Sequence, residues 1–188
     1  MHAFGESIVL IGMMGAGKSS VGRCLQQRTR LALLDTDDLV VLKFGMPISE
    51  IFAKHGEDNF REAETQTLRG LTTTRQAIIV TGGGIVLREE NVEFLKQLGA
   101  VVWLDGNTET LFERASKSGN RPLLQGADPT EAFAQMLKAR LPLYAKSAHF
   151  RVDTSVLTDE EVAVAILTKL GKSNRNSQPG SPIRATAS

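Results

Sequence analysis

The chain has 188 residues, of which 41% are hydrophobic and 23% are charged, a composition typical of a single globular domain. Lys and Arg number 22 against 21 Asp and Glu, so the net charge of +1 favours neither nucleic acid nor a membrane surface as a partner. A single cysteine excludes an internal disulfide, and no apolar run approaches the ~20 residues of a transmembrane helix, so we expect a cytoplasmic protein. We also expect it to be a monomer.

The first predicted strand, Ser7–Ile11, leads into a phosphate-binding loop. Residues Gly12–Ser19 read GMMGAGKS and fit the pattern G-x-x-x-x-G-K-[ST] at every position. A helix to about Arg28 follows, which is the context that this motif requires. Lys18 can reach the β- and γ-phosphates of ATP, and the Ser19 hydroxyl can hold Mg²⁺. The predicted ATP site consists of Gly12, Met13, Met14, Gly15, Ala16, Gly17, Lys18, Ser19 and Ser20.

Two carboxylates follow the second predicted strand, Leu31–Asp35. Because ligands of parallel α/β sheets bind at the carboxyl ends of the strands, Asp35 and Asp37 should lie near the phosphate-binding loop. An extended backbone would put both on one face. One carboxylate would then support Mg²⁺ and the other would orient an acceptor hydroxyl. The alternatives are a solvated acidic turn and a helix cap at Asp37 or Asp38.

The third predicted strand, Ala77–Thr81, ends in three glycines, Gly82, Gly83 and Gly84. Glycines weaken a strand, and their use here is close approach of the backbone to another group, which we take to be the acceptor. The alternative is a tight turn.

Strands alternate with helices along the remainder of the chain. Further strands are predicted over 100–104 and 149–153, with helices over 39–44, 47–55, 57–74, 91–98, 108–117, 129–146 and 158–170. This alternation predicts an α/β protein with a five-stranded parallel sheet flanked by helices, in the three-layer P-loop kinase fold. We expect one domain over residues 1–171, with a substrate-binding helical segment at about 37–70, a lid at about 118–127 and a disordered polar tail at 172–188.

Three arginines are candidates for binding the anionic groups of the substrates. Arg61 and Arg140 could together hold a carboxylate in fork geometry, although each alone could be a solvated surface charge. Arg61 and Glu64 lie on one helix face and could form no more than a surface ion pair. Arg121 lies in the predicted lid, from which an arginine can neutralise a transferring phosphoryl group. The alternative is an exposed loop arginine.

A P-loop does not by itself separate kinases from other nucleotide-binding proteins. The chain lacks the Asn-Lys-x-Asp signature of guanine recognition, carries no transporter signature and is short for a helicase. A small-molecule kinase remains, because it needs the carboxylates, acceptor pocket and lid described above.

Taken together, six motifs in order and spacing resemble the shikimate kinase family over residues 5–170. They are Gly12–Ser19, Asp35-Thr36-Asp37 as D-[ST]-D, Phe60-Arg61-x-x-Glu64 as F-R-x-x-E, Thr81–Gly84, Arg121-Pro122-Leu123-Leu124 and Arg140-x-Pro142-Leu143-Tyr144 as R-x-x-L-Y. The chain departs from many members at Val41 and Lys146, where they carry acidic residues. These departures bear on local helix contacts rather than on activity.

The resemblance implies ATP-dependent phosphorylation of the 3-hydroxyl of shikimate, giving shikimate 3-phosphate and ADP on the route to chorismate and the aromatic amino acids. It implies that Lys18 contacts the phosphates, that Ser19 binds Mg²⁺ and that Asp35 supports the metal through water. Asp37 would hold and activate the acceptor hydroxyl.

The resemblance also assigns the remaining site residues. Arg61, Gly83 and Arg140 would hold the substrate, with the arginines on its carboxylate, and Gly82 and Gly84 would complete that side. Arg121 would move onto the phosphates, Arg114 would flank adenine, and Asp153 would belong to the adenine loop. The alternatives are another small-molecule kinase of the same fold, such as a gluconate or nucleoside monophosphate kinase, and a non-catalytic regulator that binds nucleotide.

Overall fold

The computed structural model describes residues 6–73, 76–117 and 128–176. Five parallel strands form one sheet in the order β2-β3-β1-β4-β5. The strands are β1 (Ser7–Ile11), β2 (Ala32–Asp35), β3 (Ala77–Val80), β4 (Gly99–Asp105) and β5 (Phe150–Asp153). The helices are α1 (Lys18–Thr29), α2 (Thr36–Phe44), α3 (Ile48–Leu71), α4 (Glu89–Leu98), α5 (Thr108–Lys117), α6 (Pro129–Ser147) and α7 (Asp159–Asn176). The predicted α/β class and parallel sheet are confirmed.

The central strand β1 explains where the site forms. Residues 8–11 are Ile-Val-Leu-Ile and are fully buried, as expected for a strand covered by helices on both faces. β1 pairs with β3 on one side and β4 on the other, and Asp35 at the end of β2 is level with Val80 at the end of β3. The loops after β1, β2 and β3 therefore leave the same edge of the sheet.

The apolar interior has two parts. The main cluster covers both faces of the sheet, and a smaller cluster joins α2 to α3 through Val40, Ile51, Phe60 and Ala63. The Phe52 and Phe60 rings in this second cluster have centroids 4.7 Å apart. The second cluster fixes the part of α3 that carries Arg61.

Gly56 bends α3 at the position that separates the two helices predicted over 47–55 and 57–74. Its φ of 79° and ψ of 168° lie outside the helical region, while helical residues continue on both sides. Only glycine adopts such a conformation readily, so the position requires this residue.

The structure differs from the predictions in the bounds of several elements. Helix α2 begins at Thr36 rather than at 39. A single turn of 3-10 helix, Ile85–Leu87, follows the glycine run, Gly82–Gly84, and was not predicted. The last helix continues to Asn176, so residues 172–176 of the segment assigned to a disordered tail are helical, and 177–188 lie outside the described residues. A capping box begins α7, since the Thr158 N–H donates to Glu161 and the Glu161 N–H donates to Thr158. None of the described helices is both long enough and apolar enough to cross a bilayer.

Candidate active site

The phosphate-binding loop adopts a backbone that its glycines permit. Gly12 and Gly15 have φ of 141° and 84°, values that residues with a side chain rarely adopt. A Cβ on either one would also collide with a backbone carbonyl oxygen, that of Leu104 or Leu111. Because α1 begins at Lys18, the positive end of its dipole lies at the loop.

Lys18 folds back across the loop. Its Nζ donates hydrogen bonds to the carbonyl oxygens of Gly12 at 2.8 Å and Met13 at 3.0 Å. Lys18 and Ser19 line a cleft of about 760 Å³, whose other walls come from the ends of β2 and β3 and from residues 155–159. Met13 and Ala16, in contrast, are buried beneath the loop rather than exposed to the cleft.

Asp35 and Asp37 both line this cleft, but not through an extended backbone. Asp35 ends β2 and caps α2, because its Oδ1 accepts the N–H of Asp37 at 3.0 Å. Asp37 lies in the first turn of the helix, so the expected extended spacing is wrong. The helix cap that was considered for Asp37 or Asp38 is instead formed by Asp35.

The environment of Asp35 suits a cation. Burial of the carboxyl raises its pKa from 3.8 to about 6, and the negative charge of Asp37 acts in the same direction. The Asp37 N–H and the Lys18 ammonium oppose this rise. Within the described ranges, no three His, Cys, Asp or Glu side chains come together as a metal cluster. A cation here would therefore need oxygen ligands beyond the protein carboxylates, which suits Mg²⁺ held together with phosphate.

The glycine run is the point where the surrounding elements meet. A Cβ on Gly82 would lie 2.6 Å from Asp37 Oδ1, and one on Gly83 would lie 3.4 Å from the Met14 nitrogen. A Cβ on Gly84 would collide with the Arg61 guanidinium. The expected close approach is therefore present, and the groups that approach are Asp37, the phosphate-binding loop and Arg61.

Arg61 is buried rather than on the surface. Its Nη1 contacts Glu64 Oε2 at 2.7 Å and its Nη2 contacts Glu57 Oε1 at 2.9 Å. Burial raises the pKa of the Glu64 carboxyl, an effect that the Arg61 charge partly offsets. The predicted shared face of Arg61 and Glu64 is present, and the surface ion pair considered as the alternative is wrong.

Arg140 reaches the other side of the same glycine run. Only 7% of the residue is exposed, and its Nη1 lies 3.7 Å from where a Cβ on Gly83 would be. Among the described residues it has no carboxylate oxygen within 4.0 Å, and its nearest side-chain acceptor in the loop is Met13 Sδ at 3.9 Å. A buried guanidinium with so weak a partner favours an anionic ligand.

The far end of the cleft contains Arg114. Its Nη1 donates to the carbonyl oxygen of Thr154 at 3.0 Å, which fixes the guanidinium against the segment 155–159. Asp153 is exposed and does not line the cleft. Hydrogen bonds from the Ser155 hydroxyl and N–H lower its pKa, so this carboxylate shapes the turn beside the cleft.

Two parts of the site were not predicted from the sequence, and one predicted part lies outside the described residues. Residues 156–159 line the cleft, and Tyr144 contacts the glycine run, yet neither was assigned a role. For Tyr144 the only signal was its place in the R-x-x-L-Y motif. Arg121 and the predicted lid, 118–127, lie outside the described residues.

A nucleotide loop that faces buried arginines across a glycine run, on a five-stranded parallel sheet, defines a P-loop kinase of small molecules. A family model described as shikimate kinase matches residues 14–171. The chain belongs to the shikimate kinase family.

Similar proteins cover most of this chain. The shikimate kinase of Thermodesulfovibrio yellowstonii is 43% identical over 162 residues, covering 86% of this chain and 93% of the relative, and that of Symbiobacterium thermophilum is 42% identical over 166 residues, covering 87% and 95%. The solved shikimate kinase of Acinetobacter baumannii, in complex with shikimate, is 39% identical with a TM-score of 0.85 over 89% of this chain and 94% of that chain. A gluconokinase from Sinorhizobium meliloti, 20% identical with a TM-score of 0.61 over 92% of this chain and 95% of that chain, shares the fold.

Proposed function

We propose that the chain transfers the terminal phosphoryl group of ATP to the 3-hydroxyl of shikimate, giving shikimate 3-phosphate and ADP. The product leads to chorismate and the aromatic amino acids. Membership of the shikimate kinase family supports this reaction. The observation that carries it in the structure is the pair of buried arginines, Arg61 and Arg140, on either side of a glycine run beside Asp37.

The nucleotide side of the proposal uses the phosphate-binding loop. Backbone N–H groups of Gly15 and Gly17 and the N-terminus of α1 favour the phosphates, and Lys18 would exchange its carbonyl partners for phosphate oxygens. Arg114 and the segment 155–159 would border the base. The role of Arg121 on the transferring group stays a prediction.

Mg²⁺ would be held by the Ser19 hydroxyl and, through water, by Asp35. The donor set supports this assignment, because both groups are oxygen donors in one cleft and a cation there would offset the burial that raises the pKa of Asp35. When bound, the ion would neutralise charge on the phosphates.

On the acceptor side, different residues would bind the substrate and take part in the reaction. Arg61 and Arg140 would bind the shikimate carboxylate, since two guanidinium groups satisfy both of its oxygens. Asp37 would accept the hydrogen bond of the attacking hydroxyl and so orient it toward the phosphoryl group. Gly82, Gly83 and Gly84 would let the ring lie against the backbone, because no Cβ stands in the way.

The wider organisation is part of the proposal. We infer one kinase domain over 1–171, with 37–70 as the acceptor-binding segment and 118–127 as the lid. The protein would act as a cytoplasmic monomer whose partners are ATP and shikimate, with no nucleic acid and no membrane.

An ADP-release assay with four acceptors tests the proposed reaction. Shikimate should support turnover, whereas gluconate and AMP should be poor acceptors. Shikimate methyl ester, which lacks the carboxylate charge, should lose about a hundredfold in kcat/KM, because both arginines lose the anion of the substrate. Turnover that is absent with shikimate, or equal with gluconate, would overturn the proposal.

A further inference from the structure

Tyr144 ties α6 to the acceptor side of the site. It follows Arg140 by four residues on α6, so the two side chains share one face of the helix. The Tyr144 hydroxyl donates a hydrogen bond to the backbone oxygen of Gly83 at 2.6 Å, close to the short end of the usual range for such donors. Because a peptide unit is planar, this bond fixes the orientation of the whole Gly83–Gly84 peptide.

The Tyr144 ring is itself firmly held. The residue is fully buried, and its ring stacks on Trp103 with centroids 5.9 Å apart and planes 27° apart. Burial raises the pKa of the phenol to about 12, so the hydroxyl keeps its proton over the pH range of ordinary assays. It therefore stays a hydrogen-bond donor to Gly83.

The same hydroxyl interacts with Arg140. The positive charge of the guanidinium opposes the rise in the pKa of the phenol. Arg140 Nη1 and the Tyr144 hydroxyl each lie 3.9 Å from Met13 Sδ. Arg140 and the Tyr144 hydroxyl therefore meet at Met13, and the hydroxyl continues to the Gly83 carbonyl.

We propose that Tyr144 is a positioning residue for the acceptor: its hydroxyl holds the Gly83 carbonyl beside the Arg140 guanidinium, in the arrangement that receives the carboxylate of a small polyol. The inference rests on the proposed function, since that function assigns Arg140 and Gly83 to the acceptor. Without the hydroxyl, the Gly83 oxygen loses a buried partner and the glycine run can turn away from Arg140.

The substitution Tyr144→Phe removes the hydroxyl and leaves the stacked ring. The KM for shikimate should rise about tenfold, while kcat and the KM for ATP stay within about twofold, because the lost interaction serves binding of the acceptor in ground state and transition state alike. A fall in kcat with an unchanged KM would overturn the proposal, since the hydroxyl would then act only in the transition state.

Ser147→Ala is the matched control. It removes a hydroxyl from the same helix, and that hydroxyl also donates to a backbone oxygen, that of Leu143 at 2.7 Å. Its KM for shikimate should equal that of the wild type. If Tyr144→Phe and Ser147→Ala have the same KM, Tyr144 has only a structural role and the proposal fails.

A second measurement needs no substitution. Tyr144 is the only tyrosine in the chain, so biosynthetic labelling with 3-fluorotyrosine puts fluorine at one position. The single ¹⁹F resonance should shift in a saturable way with shikimate and stay in place with gluconate. A resonance that does not respond to shikimate, in a wild-type protein that turns shikimate over, would overturn the inference alone. Absence of wild-type turnover would instead remove the proposed function.

Discussion

Asp37 is the residue on which the proposed chemistry depends most. Its carboxylate lies against the glycine run at the end of β3, where the attacking hydroxyl would be. Asp37→Asn should lower kcat about a hundredfold or more, because an amide cannot take a proton from the hydroxyl, and it should leave the KM for ATP nearly unchanged. Steady-state kinetics with each substrate varied in turn would measure both effects.

The neighbouring Asp38 provides the control for that experiment. It is exposed and lies in the same helical turn, so Asp38→Asn makes the same change in charge and volume one residue away. We expect its kcat to stay within about twofold of the wild type. Near-normal turnover of Asp37→Asn would remove Asp37 from the reaction.

Asp35 stabilises the fold less than a neutral residue would. Its pKa is about 6 in the folded chain against an ordinary value of 3.8, so folding favours the protonated carboxyl. The stability that comes from this protonation is fully present below about pH 4 and is lost as the pH rises through 6. Asn can keep the cap on α2 without the charge. In metal-free buffer, Asp35→Asn should be more stable than the wild type by about 1–2 kcal/mol at pH 7, after allowance for solvent screening.

Urea unfolding at pH 4 and pH 7 would measure this difference, which should disappear at the lower pH. Adding Mg²⁺ with ATP should then stabilise the wild type more than Asp35→Asn, since ligand binding to the folded state adds to stability. A variant no more stable than the wild type at pH 7 would show that the carboxylate is not strained by burial.

At the scale of the element, the kink in α3 sets the direction of the segment that carries Arg61. A Cβ on Gly56 would meet nothing within 4 Å, so any effect of Gly56→Ala comes from the backbone alone. The φ of 79° and ψ of 168° are costly for alanine, so this variant should lose about 1–3 kcal/mol of unfolding free energy. Its KM for shikimate should rise as well, because Arg61 follows the kink.

Gly70, in the same helix, makes a matched comparison. It is exposed, and a Cβ there also meets nothing within 4 Å, but its backbone is helical. Gly70→Ala should therefore gain about 0.5–1 kcal/mol and leave the kinetics unchanged. Equal effects of the two substitutions in thermal unfolding would mean that the kink is not maintained by Gly56.

The elements that the sequence predicted well are those fixed by local signals. The bounds of β1 and the start of α5 match because an apolar β-branched run and a helical period mark them. The turn Ile85–Leu87 was missed because no sequence motif marks it: it is supported by the buried Asn91 side chain, six residues along the chain, which donates to the Ile85 oxygen at 3.0 Å. The end of α7 was placed too early because residues 172–176 carry no apolar period.

For the whole molecule, the sequence located the two halves of the site but not how they join. The strand-end rule brought Asp35, Asp37 and the glycine run near the phosphate-binding loop. It could not show that Tyr144 on α6 bonds to Gly83, because those residues are 61 positions apart and meet only through the tertiary fold. The same holds for the contact of residues 156–159 with the cleft.

The C-terminal end of the chain tests where the folded unit stops. Leu170 is the last residue of the main apolar cluster and is 9% exposed. A Cβ on the next residue, Gly171, would meet nothing within 4 Å. A chain that ends at Gly171 should keep the wild-type kcat and both KM values, and its unfolding free energy should change by less than about 0.5 kcal/mol.

A chain that ends at Lys169 should behave differently, because it also lacks Leu170. Loss of that buried side chain should cost about 2 kcal/mol, or about 4–8 °C in Tm. Its kinetics well below the Tm should nevertheless match the wild type, since Leu170 lies 11 residues along α7 from Asp159 at the cleft, about 17 Å in a helix. If instead the cut after Gly171 lowers turnover, the segment 172–188 takes part in the reaction and the folded unit extends beyond the proposed boundary.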